Sequence, residues 1–135
     1  MRFFVAGIPK PKGSIRAFAR VRGGPPILTS TTKGLKAWQN TIAWEARRKE
    51  AVTLEGPVYV SLVFVLPFPK GASKRDRSEG FHHATRPDLD KLVRAVLDAL
   101  TGICWVDDGQ VSVIAASKER GDPSTVGVTV EVAAL

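Results

Sequence analysis

A single cysteine in 135 residues, Cys104, excludes an internal disulfide and has no partner for a cysteine zinc cluster. That usage fits a reducing cytoplasm. No apolar run is long enough to cross a bilayer. The opening residues, MRFFVAGIPKPKG, hold only a short apolar stretch broken by Gly7 and Pro9. They make a poor secretory signal and read as a first strand running into a turn. Internal repeats and low-complexity tracts are missing too. What remains is 44% hydrophobic and 24% charged, as in an ordinary globular protein, and residues 1–135 suit one domain with a real core.

The charge is uneven. Residues 1–50 hold eleven Lys and Arg against two Glu, a balance of +9; residues 86–135 hold five against eight Asp and Glu, a balance of −3. A basic surface fits a polyanion such as nucleic acid. It also fits a merely solubilising surface, and charge alone favours nucleic acid only slightly.

Residues 2–8 predict a strand. Residues 14–30, with Gly23, Gly24, Pro25 and Pro26, predict an exposed loop or hairpin. Thr31 or Thr32 is placed to cap a helix over 33–50, with Leu35, Trp38, Ile42 and Ala46 on one face. The run VYVSLVFVLPF after Gly56-Pro57 predicts a strand over 58–66. Residues 67–85 are polar and turn-rich and read as a long, mobile, basic loop. In DLDKLVRAVLDALTG, the residues Leu89, Leu92, Val93, Val96, Leu97 and Leu100 fall at helical spacing, with Gly102 as the C-terminal cap. Two strands follow, VSVIAASK and VGVTVEVAA. The order β, α, β, α, β, β predicts an α+β fold, a small mixed or antiparallel sheet with two main helices.

Two acidic pairs flank that amphipathic helix: Asp88 with Asp90 at its start, and Asp107 with Asp108 beyond its end. Magnesium prefers a few such carboxylates together with water and substrate phosphate. Close carboxylates repel, and a divalent cation removes that cost. The plain alternatives are a helix cap for Asp88, a dipole contact for Asp90 and an ordinary turn for Asp107-Asp108-Gly109. Spacing alone leaves the two sets of roles balanced. Asp90 and Arg94 share a helix face, whereas Lys91 points elsewhere. A helix over 88–101 is about 20 Å long. Asp108 must return along it to meet Asp88, and a hairpin-like return brings it only part of the way. Asp98 lies on the polar side and reads as a solvated charge.

The stretch HHATRPDLDKLVRAVLDALTGICWVDDGQVSVIAASK resembles the RusA family of Holliday-junction resolvases, whose members look like PDLDNLxKAxxDALxG…(W/Y)xDDxQV…K. This chain has PDLD at 87–90, DALTG at 98–102, then Trp105, Asp107-Asp108, Gln110-Val111 and Lys118. The opening GIPKPKGSIRAFAR is similar to the family's first strand and basic turn, while residues 50–85 match in outline only.

The resemblance implies a homodimer that binds four-way DNA junctions and makes paired nicks with magnesium (manganese as a substitute). By position, Asp88, Asp90 and Asp108 match the metal-binding aspartates, and Asp107 the adjacent acidic position. The family's catalytic lysine aligns with Arg94, and Lys91 replaces the usual Asn. Arg keeps the charge but does not donate a proton at neutral pH, so Arg94 is expected to hold phosphate or stabilise the transition state. Lys91 could take over the donor role, though its helix face argues against this. Lys118 matches a basic position that could contact the scissile phosphate. Lys10, Lys12, Arg16, Arg20, Arg22, Lys70, Lys74, Arg75, Arg77, Arg86 and Lys91 would contact DNA phosphates. His82 and His83 read as loop residues, one of them within reach of the metal site. Trp38 reads as core, Trp105 as a core or dimer-face aromatic, and Trp44 as partner-facing. The competing functions are a non-catalytic dimer binding branched DNA and a general metal-dependent nuclease of flaps or single strands.

Overall fold

Apolar residues at every second position build the sheet, and apolar residues at steps of three and four build the helices. The computed structural model describes residues 1–13, 15–19, 26–30, 32–74, 77 and 84–135. In chain order the elements are β1 (Arg2–Ala6), β2 (Ile15–Ala19), β3 (Pro26–Ser30), α1 (Leu35–Arg48), β4 (Val58–Pro67), α2 (Leu89–Leu100), β5 (Val111–Gly121) and β6 (Gly127–Ala134), with a 3₁₀ turn at Asp108–Gln110 before β5. The four-stranded sheet runs β1-β6-β4-β5, and β2 and β3 form a separate hairpin. β6 is antiparallel to both β1 and β4. β4 and β5 are parallel, which requires the crossover that α2 supplies.

One face of the sheet carries the core. Val58, Val60, Leu62, Phe64 and Leu66 are buried and alternate with half-buried neighbours along β4. Val128, Val130 and Val132 do the same on β6. Trp38, Ile42 and Ala46 from α1 and Leu92, Val96 and Leu100 from α2 join the same cluster. Truncating a fully buried leucine of this kind costs about 2–5 kcal/mol. The Gln39 amide of α1 donates to Ala95 O of α2 at 3.1 Å, tying the helices together.

Mixed sheet, two main helices and α+β class are as expected, but several details differ. Of the two options for residues 14–30, the hairpin forms, adding two strands to the expected order. α1 starts two residues later than predicted and no threonine caps it: Gly34, left-handed at φ 80°, holds the N-cap position. β1 stops at Ala6 because Gly7 turns the chain with φ 136°, where a Cβ would lie 3.2 Å from the Trp38 ring. Among the described residues, no helix is long and apolar enough to cross a membrane.

Candidate active site

The start of α2 is a cation-lined cleft of about 580 Å³. Asp88 occupies the N-cap position of α2 in extended geometry, yet its carboxylate caps nothing. Instead Oδ2 lies 3.7 Å from Lys91 Nζ. Lys91 therefore lines the cleft with Asp88 and does not point away from it. An N-cap residue sits outside helical periodicity, so the face assigned to Lys91 relative to Asp90 does not govern its reach to Asp88. Lys10, Lys33, Arg86 and Arg120 also line the cleft, beside apolar Ile8, Leu66 and Pro87. Five cations around one carboxylate make a place for a polyanion.

Two residues of β5 set where α2 begins. Lys118 Nζ donates to Thr85 O at 2.6 Å and to Pro87 O at 2.9 Å. Arg120 donates to Pro67 O and to Thr85 Oγ1, both at 2.8 Å. An ammonium has three N–H donors, so Lys118 keeps one for another acceptor. Its main structural work is to hold the segment from which Asp88 emerges. The family resemblance had suggested a contact to the scissile phosphate, and the residue alone a solvated lysine at a strand end.

The other acidic pair sits beyond the far end of α2, in a turn held by one glutamine. Gln110 Oε1 accepts from Val106 N (2.9 Å) and Asp107 N (3.0 Å). Its Nε2 donates to Leu54 O (2.9 Å) and Gly56 O (3.0 Å). Asp107 Oδ1 accepts from Gly109 N at 2.8 Å, completing a capping box with Gln110. Asp107 thus takes the turn role, and Gln110, a motif position to which the sequence reading gave no role, is the clamp. The D-D-x-Q spacing carries that signal: a cap three residues before a glutamine. Asp108 is left exposed, and among the described residues no hydrogen bond or ion pair engages its carboxylate, nor that of Asp90.

These two ends are far apart. Lys118, which touches Pro87, pairs with Phe64 late in β4, whereas Val111, just after Asp108, pairs with Val58 at its start. Strand rise puts about 20 Å between those levels, and α2 itself is about 18 Å long. β5 returns along α2, but it is Lys118 and not Asp108 that reaches the helix start. Among the described residues, no three carboxylate, histidine or cysteine side chains come together to hold an ion.

The other candidates divide. Lys12 is committed within the fold: its N–H donates to Lys91 O at 3.0 Å and its ammonium pairs with Asp98 at 2.5 Å, so Asp98 is not simply solvated. Arg94, Lys70, Lys74 and Arg77 are exposed, the last with its guanidinium 5.5 Å from the centre of the Phe68 ring. Arg16 lies in β2. Its side chain, together with Arg20, Arg22, Arg75, His82 and His83, lies outside the described residues. Trp38 and Trp105 are buried, as expected; Trp105 Nε1 donates to Thr101 Oγ1 at 3.1 Å. Trp44 is 60% exposed, with the Arg48 guanidinium 5.7 Å from its ring centre. Burial pushes the Cys104 thiol up to about 11, which keeps it protonated and unreactive.

A carboxylate in a basic cleft, an acidic turn locked by D-D-x-Q, and a lysine of the following strand bonded next to that carboxylate are the structural counterparts of the sequence motif. Comparison with known proteins agrees. YqaN of Bacillus subtilis (strain 168), itself uncharacterised, is 31% identical over 140 residues, covering 96% of this chain and 94% of that protein. The family model for endodeoxyribonuclease RusA matches residues 9–132, and the chain belongs to the RusA endodeoxyribonuclease family.

Proposed function

We propose that the protein is a structure-selective endonuclease that resolves Holliday junctions by paired phosphodiester hydrolysis, acting as a magnesium-dependent homodimer in the cytoplasm. The observation that carries this reading is the division of exposed carboxylates between the two ends of α2. Each chain offers two half-sites. Asp88 and Asp90 of one subunit meet Asp108 of the partner subunit, so the dimer holds two complete sites, as cutting two opposed strands of a symmetric junction requires.

The donor set suits magnesium: hard carboxylate oxygens, free of strong protein partners, with cations nearby to receive phosphate. When bound, the ion supplies charge stabilisation at the phosphate and makes a water easier to deprotonate. The chain's own side chains do the rest. Lys10, Arg86 and Arg120 orient the phosphate backbone in the cleft, a contact that positions DNA without reading its sequence. Arg94 neutralises charge that builds on the scissile phosphate. Lys91, beside Asp88, supplies an N–H to the leaving oxygen in place of the family lysine that Arg94 replaces. Lys118 keeps Asp88 in position.

A labelled four-way junction incubated with magnesium, with manganese and with EDTA tests the reading. Opposed nicks that depend on the metal are expected. Binding without nicking under either metal would sink the enzyme reading in favour of a non-catalytic junction-binding dimer. Equal cutting of linear duplex would point to a general nuclease. Mixing Asp90→Asn with Asp108→Asn, each inactive alone, tests the shared site. A mixed dimer keeps one complete site only if the aspartates come from two subunits, so nicking of one strand should return.

A further inference from the structure

The cleft at the start of α2 is more than a row of cations. Phosphate needs charge and N–H donors, which a flat basic surface supplies. This cleft has depth, about 580 Å³. That falls within the range of about 300–1,000 Å³ for pockets that enclose a small organic ligand. Its apolar lining comes from Ile8, Pro9, Pro11, Leu66, Pro67 and Pro87. Pro9 and Leu66 are buried, whereas Ile8 is 52% exposed and leaves apolar surface uncovered. β5 holds two of these walls still. Arg120 donates to Pro67 O at 2.8 Å, and Lys118 donates to Pro87 O at 2.9 Å. Each proline ring is itself rigid.

Apolar surface and charge together select the occupant. Lys10, Lys33, Arg86, Lys91 and Arg120 line the same cleft, against the carboxylate of Asp88. Arg120 engages Pro67 O and Thr85 Oγ1, and a guanidinium has five N–H donors, so it retains others for an anion. A flat apolar face joined to an anion matches both halves of this lining, and a nucleotide is such a molecule. A base stacked within a duplex has both faces covered, so it must leave the stack to enter a pocket. We infer that the cleft receives one unpaired nucleotide of branched DNA, its base against Ile8, Pro67 and Pro87 and its phosphate on the surrounding cations. The inference rests on the proposed action on branched DNA and names how the site selects it. Turning a base out of an intact duplex is costly, and the cost is least where pairing is already interrupted, as at a branch point. Apolar walls accept any base, because every base has a flat face. The pocket thereby turns the shape of the DNA into affinity.

Fluorescence anisotropy of the full chain in EDTA tests this with two labelled probes. One is a short single strand of thymidines, and the other is an abasic strand with the same number of phosphates. The thymidine strand should bind about tenfold more tightly, toward the low end for a stacked base because the walls are aliphatic. Ile8→Asn removes apolar surface without changing charge, at an exposed position, and circular dichroism checks the fold. It should cut the preference to below about threefold and leave the affinity for the abasic strand unchanged. Trp44→Ala is the control, because the exposed indole on α1 is the other platform on which a base could stack. It should leave the preference as it was. Equal affinity of the parent chain for the two strands overturns the inference. So does a preference that survives Ile8→Asn, or one that vanishes with Trp44→Ala. A preference that depends on Ile8, in a chain that nicks no junction with either metal, would keep the pocket and remove the endonuclease reading. Metal-dependent nicking of the junction without the preference would do the reverse.

Discussion

The two ends of α2 are opposites in how they treat acid. At its start, Asp88 stands among five cations and forms no cap. Beyond its end, Asp107 and Gln110 lock the turn through backbone groups and leave Asp108 in solvent. One end is ready for phosphate, and the other holds a rigidly placed carboxylate with no cation paired to it among the described residues. The difference teaches that the two acidic clusters are built for different surroundings, and under the proposed function neither end alone is a complete hydrolytic site.

The comparison can be broken from either end. The largest effect is expected for Asp90→Asn, which should slow junction nicking by about 10³-fold. Gel-shift affinity for the junction should hold or rise, because a repelling charge near phosphate is lost. A loss of binding with the fold intact would make Asp90 a recognition residue instead. Gln110→Ala comes next. It strips partners from two backbone N–H groups and two carbonyls, so thermal unfolding should show a loss of about 2–3 kcal/mol. Displacement of Asp108 should also cost about 10²-fold in nicking. Lys118→Met should reduce single-turnover nicking about tenfold, worth roughly 1.4 kcal/mol and near the value of one hydrogen bond, with junction affinity nearly unchanged. Lys118→Arg should restore part of it if positioning of Asp88 is the role. The smallest effect belongs to the Lys12–Asp98 pair. Both side chains are partly exposed, 27% and 44%, so a double-mutant cycle in urea should give a coupling below about 1 kcal/mol.

Much of the fold was legible in local pattern. The six apolar positions of α2 and the alternation in Val58–Pro67 both became the elements they predict. What local pattern missed was decided by distant contacts or by backbone geometry. Gly34 outcompetes the threonines as a cap because the turn before α1 needs a left-handed residue. The positioning role of Lys118 was not foreseen, because nothing in its neighbourhood reveals that β5 returns beside Thr85 and Pro87. The aspartates were found by motif, but their separation follows from the parallel pairing of β4 with β5, a property of topology that spacing along one chain does not contain.

The unequal burial of the three tryptophans has an optical consequence. Trp38 and Trp105 sit in the core, while Trp44 stands 60% exposed on α1. Acrylamide in solution reaches one indole and leaves two shielded. The quenchable share of the native emission therefore reports on the outer surface of α1, and the shielded share reports on the integrity of the core.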